Sequence, residues 1–270
     1  MTRFIASDLD GTLLQSSGLV SGENQQAIQK ALGEGLDLIF VTGRPSRWMH
    51  NIAEITGHSG LALCANGAVL YDLVQEEIVS AELMPAEVGI LASERLRSID
   101  PGISFAVELA RKQDDFLIDH SYRPRWEPKV PPRKVSVEEM FETELVVKLL
   151  ARPSADATFD ADTFLAQADE ALDGLVDVTH SDNFDVLIEM SLLGVNKGSG
   201  LAKVANERGF TASDVAAMGD MPNDIPMIQW AGIGAAVANA HHRVKEVADL
   251  HLPTNDEHAF AHLVEHVLAN

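Results

Sequence analysis

Apolar and polar positions along this chain fall into two rhythms. Over its first part, short apolar runs alternate with segments of helical period. Residues 4–7 (Phe-Ile-Ala-Ser) read as a strand. Residues 21–34 read as a helix, with Ser21 as N-cap and Ala27, Ile28, Ala31 and Leu32 as its apolar stripe. Residues 36–41 are nearly all apolar, the pattern of a parallel strand covered on both faces. A helix is predicted from Pro45, whose ring suits a first turn, and residues 61–65 form the next strand. The same rhythm returns later as helix 197–207, strand 215–218, helix 223–230, strand 233–237 and a closing helix 256–268. Between these parts the pattern changes to helix 85–99, strands 103–109 and 115–119, a Pro- and Arg-rich loop, helix 136–142, strand 145–151, helix 160–172 and strands 175–180 and 184–190. Strands that follow one another without a helix imply antiparallel pairing. The predicted fold is α/β: a doubly wound, Rossmann-like parallel-sheet core from residues 1–83 and 189–270, with an α+β domain inserted at 84–188.

Charge narrows the partners. A formal charge of -21 opposes nucleic acid and anionic membrane surfaces, whose phosphates would be repelled. A small phosphorylated substrate stays possible, because a local cation overrules the global field over a few ångströms. The single cysteine, Cys64, lies in an apolar run and reads as a buried small hydrophobe, and no intrachain disulfide can form. No apolar h-region opens the sequence, and no run approaches the roughly 18 apolar residues that span a bilayer. The expectation is a cytoplasmic protein.

Acids gather at predicted strand ends. Asp8-Leu9-Asp10-Gly11-Thr12 ends the first strand. Ligands of open α/β sheets bind beyond the carboxyl ends of strands, and the spacing of two predicts Asp8 and Asp10 on one face. Gly11 permits a sharp turn. Thr42-Gly43-Arg44 ends the second strand and offers a hydroxyl and backbone N–H groups to phosphate oxygens. Gly219-Asp220-Met221-Pro222-Asn223-Asp224 adds two carboxylates and an amide at another strand end. Helix capping is the plainer role for Asp220, Asn223 and Asp224. Four clustered acids, however, call for something positive among them, and Mg²⁺ with oxygen ligands suits such a set. Lys197, beside a helix start, gains interest as a fixed cation for that site.

Together these pieces resemble the haloacid dehalogenase superfamily, in its Cof-type phosphatase subgroup with a large cap. DLDGT at 8–12, VTGR at 41–44, NGA at 66–68, NKG at 196–198 and GDMPNDIPM at 219–227 stand in that family's order. The order of elements in the insert also looks like that subgroup's cap. The resemblance implies that Asp8 attacks phosphorus and forms an aspartyl-phosphate. Asp10 then serves the leaving alkoxide as acid and the hydrolytic water as base. Leu9, Thr42, Gly43, Lys197 and Asn223 would hold the phosphoryl group. Asp8, the backbone carbonyl of Asp10 and Asp220 would ligate Mg²⁺, with Asp224 behind them. The loop around Asn255-Asp256-Glu257-His258-Ala259 departs from the family's glycine-containing turn. The implied function is Mg²⁺-dependent hydrolysis of a small phosphorylated metabolite such as a sugar phosphate. A phosphomutase of the same fold and a catalytically silent binding protein are the alternatives.

Three other features stand outside these motifs. Gly232-Ile233-Gly234 lacks the third glycine of a dinucleotide fingerprint and reads as strand. His258, His262 and His266 recur every fourth residue, so they form either a solvated helix face or imidazole ligands. Arg123, Arg125, Lys129, Arg133 and Lys134, interleaved with prolines and Trp126, form either a solvated loop or a wall facing an anionic substrate.

Overall fold

The computed structural model describes residues 2–111, 116–125, 130–182 and 185–270. In chain order, the first part contains β1 (Phe4–Ser7), α1 (Gly22–Gly33), β2 (Asp37–Val41), α2 (Ile52–Thr56), β3 (Leu61–Cys64), β4 (Val69–Asp72) and β5 (Glu77–Ala81). The insert supplies α3 (Ala86–Ile99), β6 (Ser104–Leu109), β7 (Leu117–Ile118), β8 (Arg133–Lys134) and α4 (Val137–Phe141). It continues with β9 (Val146–Arg152), α5 (Ala161–Leu172), β10 (Val176–Thr179) and β11 (Ile188–Leu192). The final part holds α6 (Lys197–Glu207), β12 (Val215–Gly219), α7 (Ile225–Trp230), β13 (Ile233–Val237), α8 (His242–Val247), β14 (Leu250–Leu252) and α9 (Ala259–Ala269).

Among the described residues the strands form two sheets. The first has the order β14-β13-β12-β1-β2-β3-β4-β5 and is parallel from β14 to β3. Its inner strands are apolar on both faces: Phe4, Ile5, Ala6 and Val215 to Met218 are fully buried, as a sheet with helices on both sides requires. From β1 the chain steps to β2 and β3 on one side and later to β12 on the other. That reversal opens a crevice at the carboxyl ends of β1, β2 and β12, the usual ligand position in such sheets. The second sheet, β10-β11-β9-β6-β7-β8, is antiparallel except for the β7–β8 pair. It has its own core around Phe105, Leu149, Phe164 and Met190.

Local chemistry explains several elements. Ser21 accepts the Asn24 N–H at 3.1 Å and starts α1. Asn196 and Ser199 exchange reciprocal capping bonds of 3.0 Å, which puts Lys197 in the first turn of α6.

Differences from the sequence reading are local. The segment after Pro45 closes as a 3₁₀ turn, Ser46–Trp48, before the short α2, because Pro45 supplies no side-chain cap and i→i+3 bonds form instead. The antiparallel hairpin β4–β5 widens the first sheet, and α8 and β14 extend its other edge. Strand β11 runs to Leu192 and pairs with β9 and β10, so the chain returns to the first sheet after Leu192 rather than at 189. The expected strand 115–119 is described only as Leu117–Ile118, and Asp115 lies outside the described residues. Arg133 and Lys134, read as loop, form the edge strand β8. His258 adopts a left-handed conformation (φ 64°) ahead of α9, so it does not share a helix face with His262 and His266. No helix among the described residues is long and apolar enough to cross a membrane.

Candidate active site

Strand β1 ends at Ser7, and the Asp8 N–H still bonds to the Met218 carbonyl at 3.0 Å. The Asp8 side chain is thereby held in the crevice, buried. Gly11 turns the chain with φ +73°, and a Cβ there would lie 2.4 Å from Asp220 Oδ2. Only glycine lets the two loops approach so closely. Thr12 Oγ1 donates to Asp220 Oδ1 at 3.1 Å.

Beneath them lies Lys197. Its Nζ donates to Asp8 Oδ1 at 2.6 Å and to Asp224 Oδ1 at 2.5 Å. The other oxygen of Asp224 accepts the N–H groups of Asp220 at 2.8 Å and Met221 at 3.0 Å. Asp224 is therefore a buried orienting acid with both oxygens engaged. Burial, together with repulsion from Asp224 and Asp10, outweighs Lys197 and raises the Asp8 carboxyl to about 7. Burial, then Asp8 and Asp224, raise Asp220 well above the usual carboxylate range. Burial pushes the Lys197 ammonium down, but Asp224 and Asp8 outweigh it and raise its pKa.

These shifts describe a group short of positive charge. Asp8, Asp220 and Asp224 each offer an oxygen within 4.8 Å of the others, and the one buried ammonium beside them bonds only Asp8 and Asp224. Oxygen donors with excess negative charge fit a hard divalent cation such as Mg²⁺.

Asp10 stands apart. Its side chain is 58% exposed, and both its oxygens take 2.6 Å bonds from Arg44 Nε and Nη2. The strand stops before it, so Asp8 and Asp10 do not alternate along a strand, although both line the same cavity of about 560 Å³. Thr42, Gly43 and Asn223 also line that cavity. Thr42 Oγ1 accepts the Arg44 N–H at 3.1 Å, which leaves its hydroxyl hydrogen available. Leu9 has its side chain fully in the core, so only its backbone could meet a phosphate. Lys197 is spent on the two carboxylates.

The sequence reading missed Arg44 as a partner of Asp10, missed Lys148 and Glu189, and gave Asn66 of the NGA motif no role. Lys148 and Glu189 line the cavity from the second sheet. A charge inside an apolar run, as in Val146-Val147-Lys148-Leu149-Leu150, was the available signal, because such a charge needs a buried partner. In the basic loop, Arg125 reaches the cavity and pairs with Asp182. Arg123 donates to the carbonyls of His120, Ser121 and Tyr122. Trp126 and Lys129 lie outside the described residues.

The histidines near the C-terminus face acids instead of one another: His258 lies 3.7 Å from Glu23 and His262 3.9 Å from Glu265. A second group does have metal-compatible spacing, namely Asp162, His241 and His242. His241 Nδ1 accepts the Arg243 N–H at 3.3 Å, so its Nε2 carries the proton and donates to Asp162 Oδ2 at 3.2 Å. His180 Nε2 lies 3.2 Å from the other oxygen of Asp162. The result is a hydrogen-bonded clasp between α5 of the insert and the turn before α8.

Comparison with known proteins gives the family. Residues 5–264 match the family described as haloacid dehalogenase-like hydrolase. The chain is 29% identical over 264 residues to a 5-amino-6-(5-phospho-D-ribitylamino)uracil phosphatase of Bacillus subtilis, covering 98% of this chain and 95% of that one. It is 27% identical over 274 residues to a pyridoxal phosphate phosphatase of Escherichia coli, covering 97% of each. Among solved structures, a haloalkanoate-superfamily phosphatase of Bacteroides thetaiotaomicron superposes with a TM-score of 0.80 at 26% identity, covering 100% of this chain and 96% of the other. The chain belongs to the haloacid dehalogenase-like hydrolase family, among its phosphatases.

Proposed function

We propose that this protein hydrolyses the phosphomonoester of a small metabolite, with Mg²⁺, through an aspartyl-phosphate on Asp8. The observation that carries this reading is the buried Asp8 carboxylate, anchored to Lys197 at 2.6 Å and facing a cavity it shares with Asp10, Thr42, Asn223 and Asp220. An Asp8 oxygen attacks phosphorus, and the bond from phosphorus to the ester oxygen breaks. Asp10 gives its proton to the departing alkoxide. Asp10 then takes a proton from water, which attacks phosphorus and releases phosphate from Asp8. Arg44, which bonds both Asp10 oxygens, has to part from it as the ester enters, and the freed Asp10 side chain takes the proton it delivers from solvent. Thr42, Gly43 and Asn223 position the phosphoryl oxygens, with the Leu9 backbone beside them, and Lys197 fixes Asp8 for in-line attack. Asp8, Asp220 and the Asp10 carbonyl would hold Mg²⁺, with Asp224 orienting them; bound there, the ion neutralises charge on the phosphoryl oxygens.

The insert, about residues 84–188, acts as a cap over the cavity. The core reads the phosphate, and the cap, with Arg125, reads the rest of the molecule. The cavity volume of about 560 Å³ suits a small metabolite. The two curated relatives are named for phosphate esters of small metabolites, which supports that substrate class. A panel of phosphorylated metabolites, with p-nitrophenyl phosphate as generic substrate, tests the reading. Turnover is expected with Mg²⁺ and is expected to stop in excess EDTA. Full activity in EDTA would contradict a metal site built from these acids.

A further inference from the structure

The roof of the cavity carries two buried charges that the steps above leave unused. Lys148, in the middle of β9, and Glu189, in β11, have side chains 3% and 6% exposed and meet at 2.6 Å. A buried ion pair adds little stability by itself and is costly to break, so its placement asks for another reason. Each partner reaches across to the first sheet. Lys148 Nζ donates to the Gly43 carbonyl at 2.7 Å. Glu189 Oε2 accepts Asn66 Nδ2 at 2.7 Å, and Asn66 Oδ1 accepts Asn223 Nδ2 at 3.0 Å. Ser181 Oγ donates to the remaining oxygen of Glu189. Burial raises the Glu189 carboxyl, but Lys148 and these donors outweigh it and hold its pKa below the usual value.

The chain of bonds has a direction. A carboxylate only accepts, so Glu189 obliges Asn66 to face it with nitrogen and to turn its oxygen toward Asn223. That oxygen obliges Asn223 to present Nδ2. One Nδ2 hydrogen is then used, and the second is left for the cavity. The same turn is tied to the loop after β2, because the Asn66 N–H donates to the Thr42 carbonyl at 3.0 Å. Gly43 packs beneath it: a Cβ there would stand 3.1 Å from Asn66 Oδ1 and 3.4 Å from Asn223 Nδ2.

We propose that Lys148 and Glu189 are positioning residues for phosphate binding, which from the second sheet fix the Gly43 carbonyl and the amide orientations of Asn66 and Asn223. The phosphate cradle is then complete only while the insert lies on the first sheet. This rests on the phosphatase reading given above.

Glu189→Gln keeps the size of the side chain but offers Asn66 a donor as readily as an acceptor. It is expected to raise the Ki of inorganic phosphate and the KM of p-nitrophenyl phosphate by about tenfold to a hundredfold, the loss typical of groups that orient a site's ligands, with a smaller change in kcat. Inorganic phosphate has no leaving group, so its Ki reports the cradle alone. Asn66→Gly cuts the chain on the core side, leaves the ion pair intact and suits the left-handed backbone at that position (φ 57°, ψ 37°); the same rise is expected, and this variant decides the matter if Glu189→Gln does not fold. Wild-type phosphate Ki in folded Asn66→Gly or Glu189→Gln overturns the positioning role while the phosphatase reading stands. A wild-type protein that neither turns over p-nitrophenyl phosphate with Mg²⁺ nor binds phosphate overturns both.

Discussion

Asp8→Asn is expected to lower kcat by roughly four orders of magnitude or more, the scale seen when a nucleophile is removed from a cooperating set. An amide is a poor nucleophile and brings no charge to a metal. Misfolding is not the expected cause of the loss. The Asp8 carboxyl is raised to about 7 because burial and neighbouring acids outweigh Lys197, so its surroundings disfavour the charged form. A raised carboxylate costs the fold stability as pH rises from the unfolded value through about 7, and a neutral isostere removes that cost. Lys197 keeps Asp224 as a partner at 2.5 Å. The variant is therefore expected to unfold in EDTA at neutral pH at a temperature no lower than wild type. Substantial turnover by a repurified Asp8→Asn protein would remove Asp8 from the mechanism.

Asp10→Ala is expected to lower kcat for alkyl phosphates by about 10²–10⁴, the usual worth of a positioned acid or base. The loss is expected to be smaller for p-nitrophenyl phosphate, whose leaving group needs no proton. The side chain is 58% exposed and pairs with Arg44 at the cavity mouth, so its removal disturbs the core little, and exposed pairs of this kind contribute little to stability. Equal losses for alkyl and nitrophenyl esters, measured side by side, would assign Asp10 to holding Arg44 instead of moving protons.

Much of the frame was legible in the sequence because single-residue physics dictates it. The apolar runs that became β1, β2, β3, β12 and β13 admit little besides buried parallel strands, and an acid or a Thr-Gly pair at such a strand end has few places to point. The site's inner acids follow the same logic: Asp8, Asp220 and Asp224 fall within ligand reach of one another because their strands are neighbours or near neighbours across the switch point. What escaped depends on pairings between distant segments. Nothing near Lys148 in sequence announces Gly43, 105 residues away, or Glu189, 41 residues away. Arg44 looked like the end of a strand until its fork met Asp10. Spacing also misled where it assumed a continuing element: β1 stops at Ser7, so Asp8 and Asp10 face different surroundings, and His258 leaves the helix that its spacing from His262 suggested.

Passage of the phosphoryl group through Asp8 is tested most directly by trapping it there. Asp10→Ala suits the experiment, because nitrophenolate leaves without an acid whereas the second step lacks its base. With Mg²⁺ and p-nitrophenyl phosphate radiolabelled in the phosphoryl group, acid-quenched Asp10→Ala protein is expected to carry label. That label should be released by hydroxylamine, as an acyl phosphate is, should map to the peptide containing Asp8, and should be absent when Asp8→Asn is added. Continued turnover with no label on the protein, or label that persists in the Asp8→Asn background, would contradict an aspartyl-phosphate at Asp8.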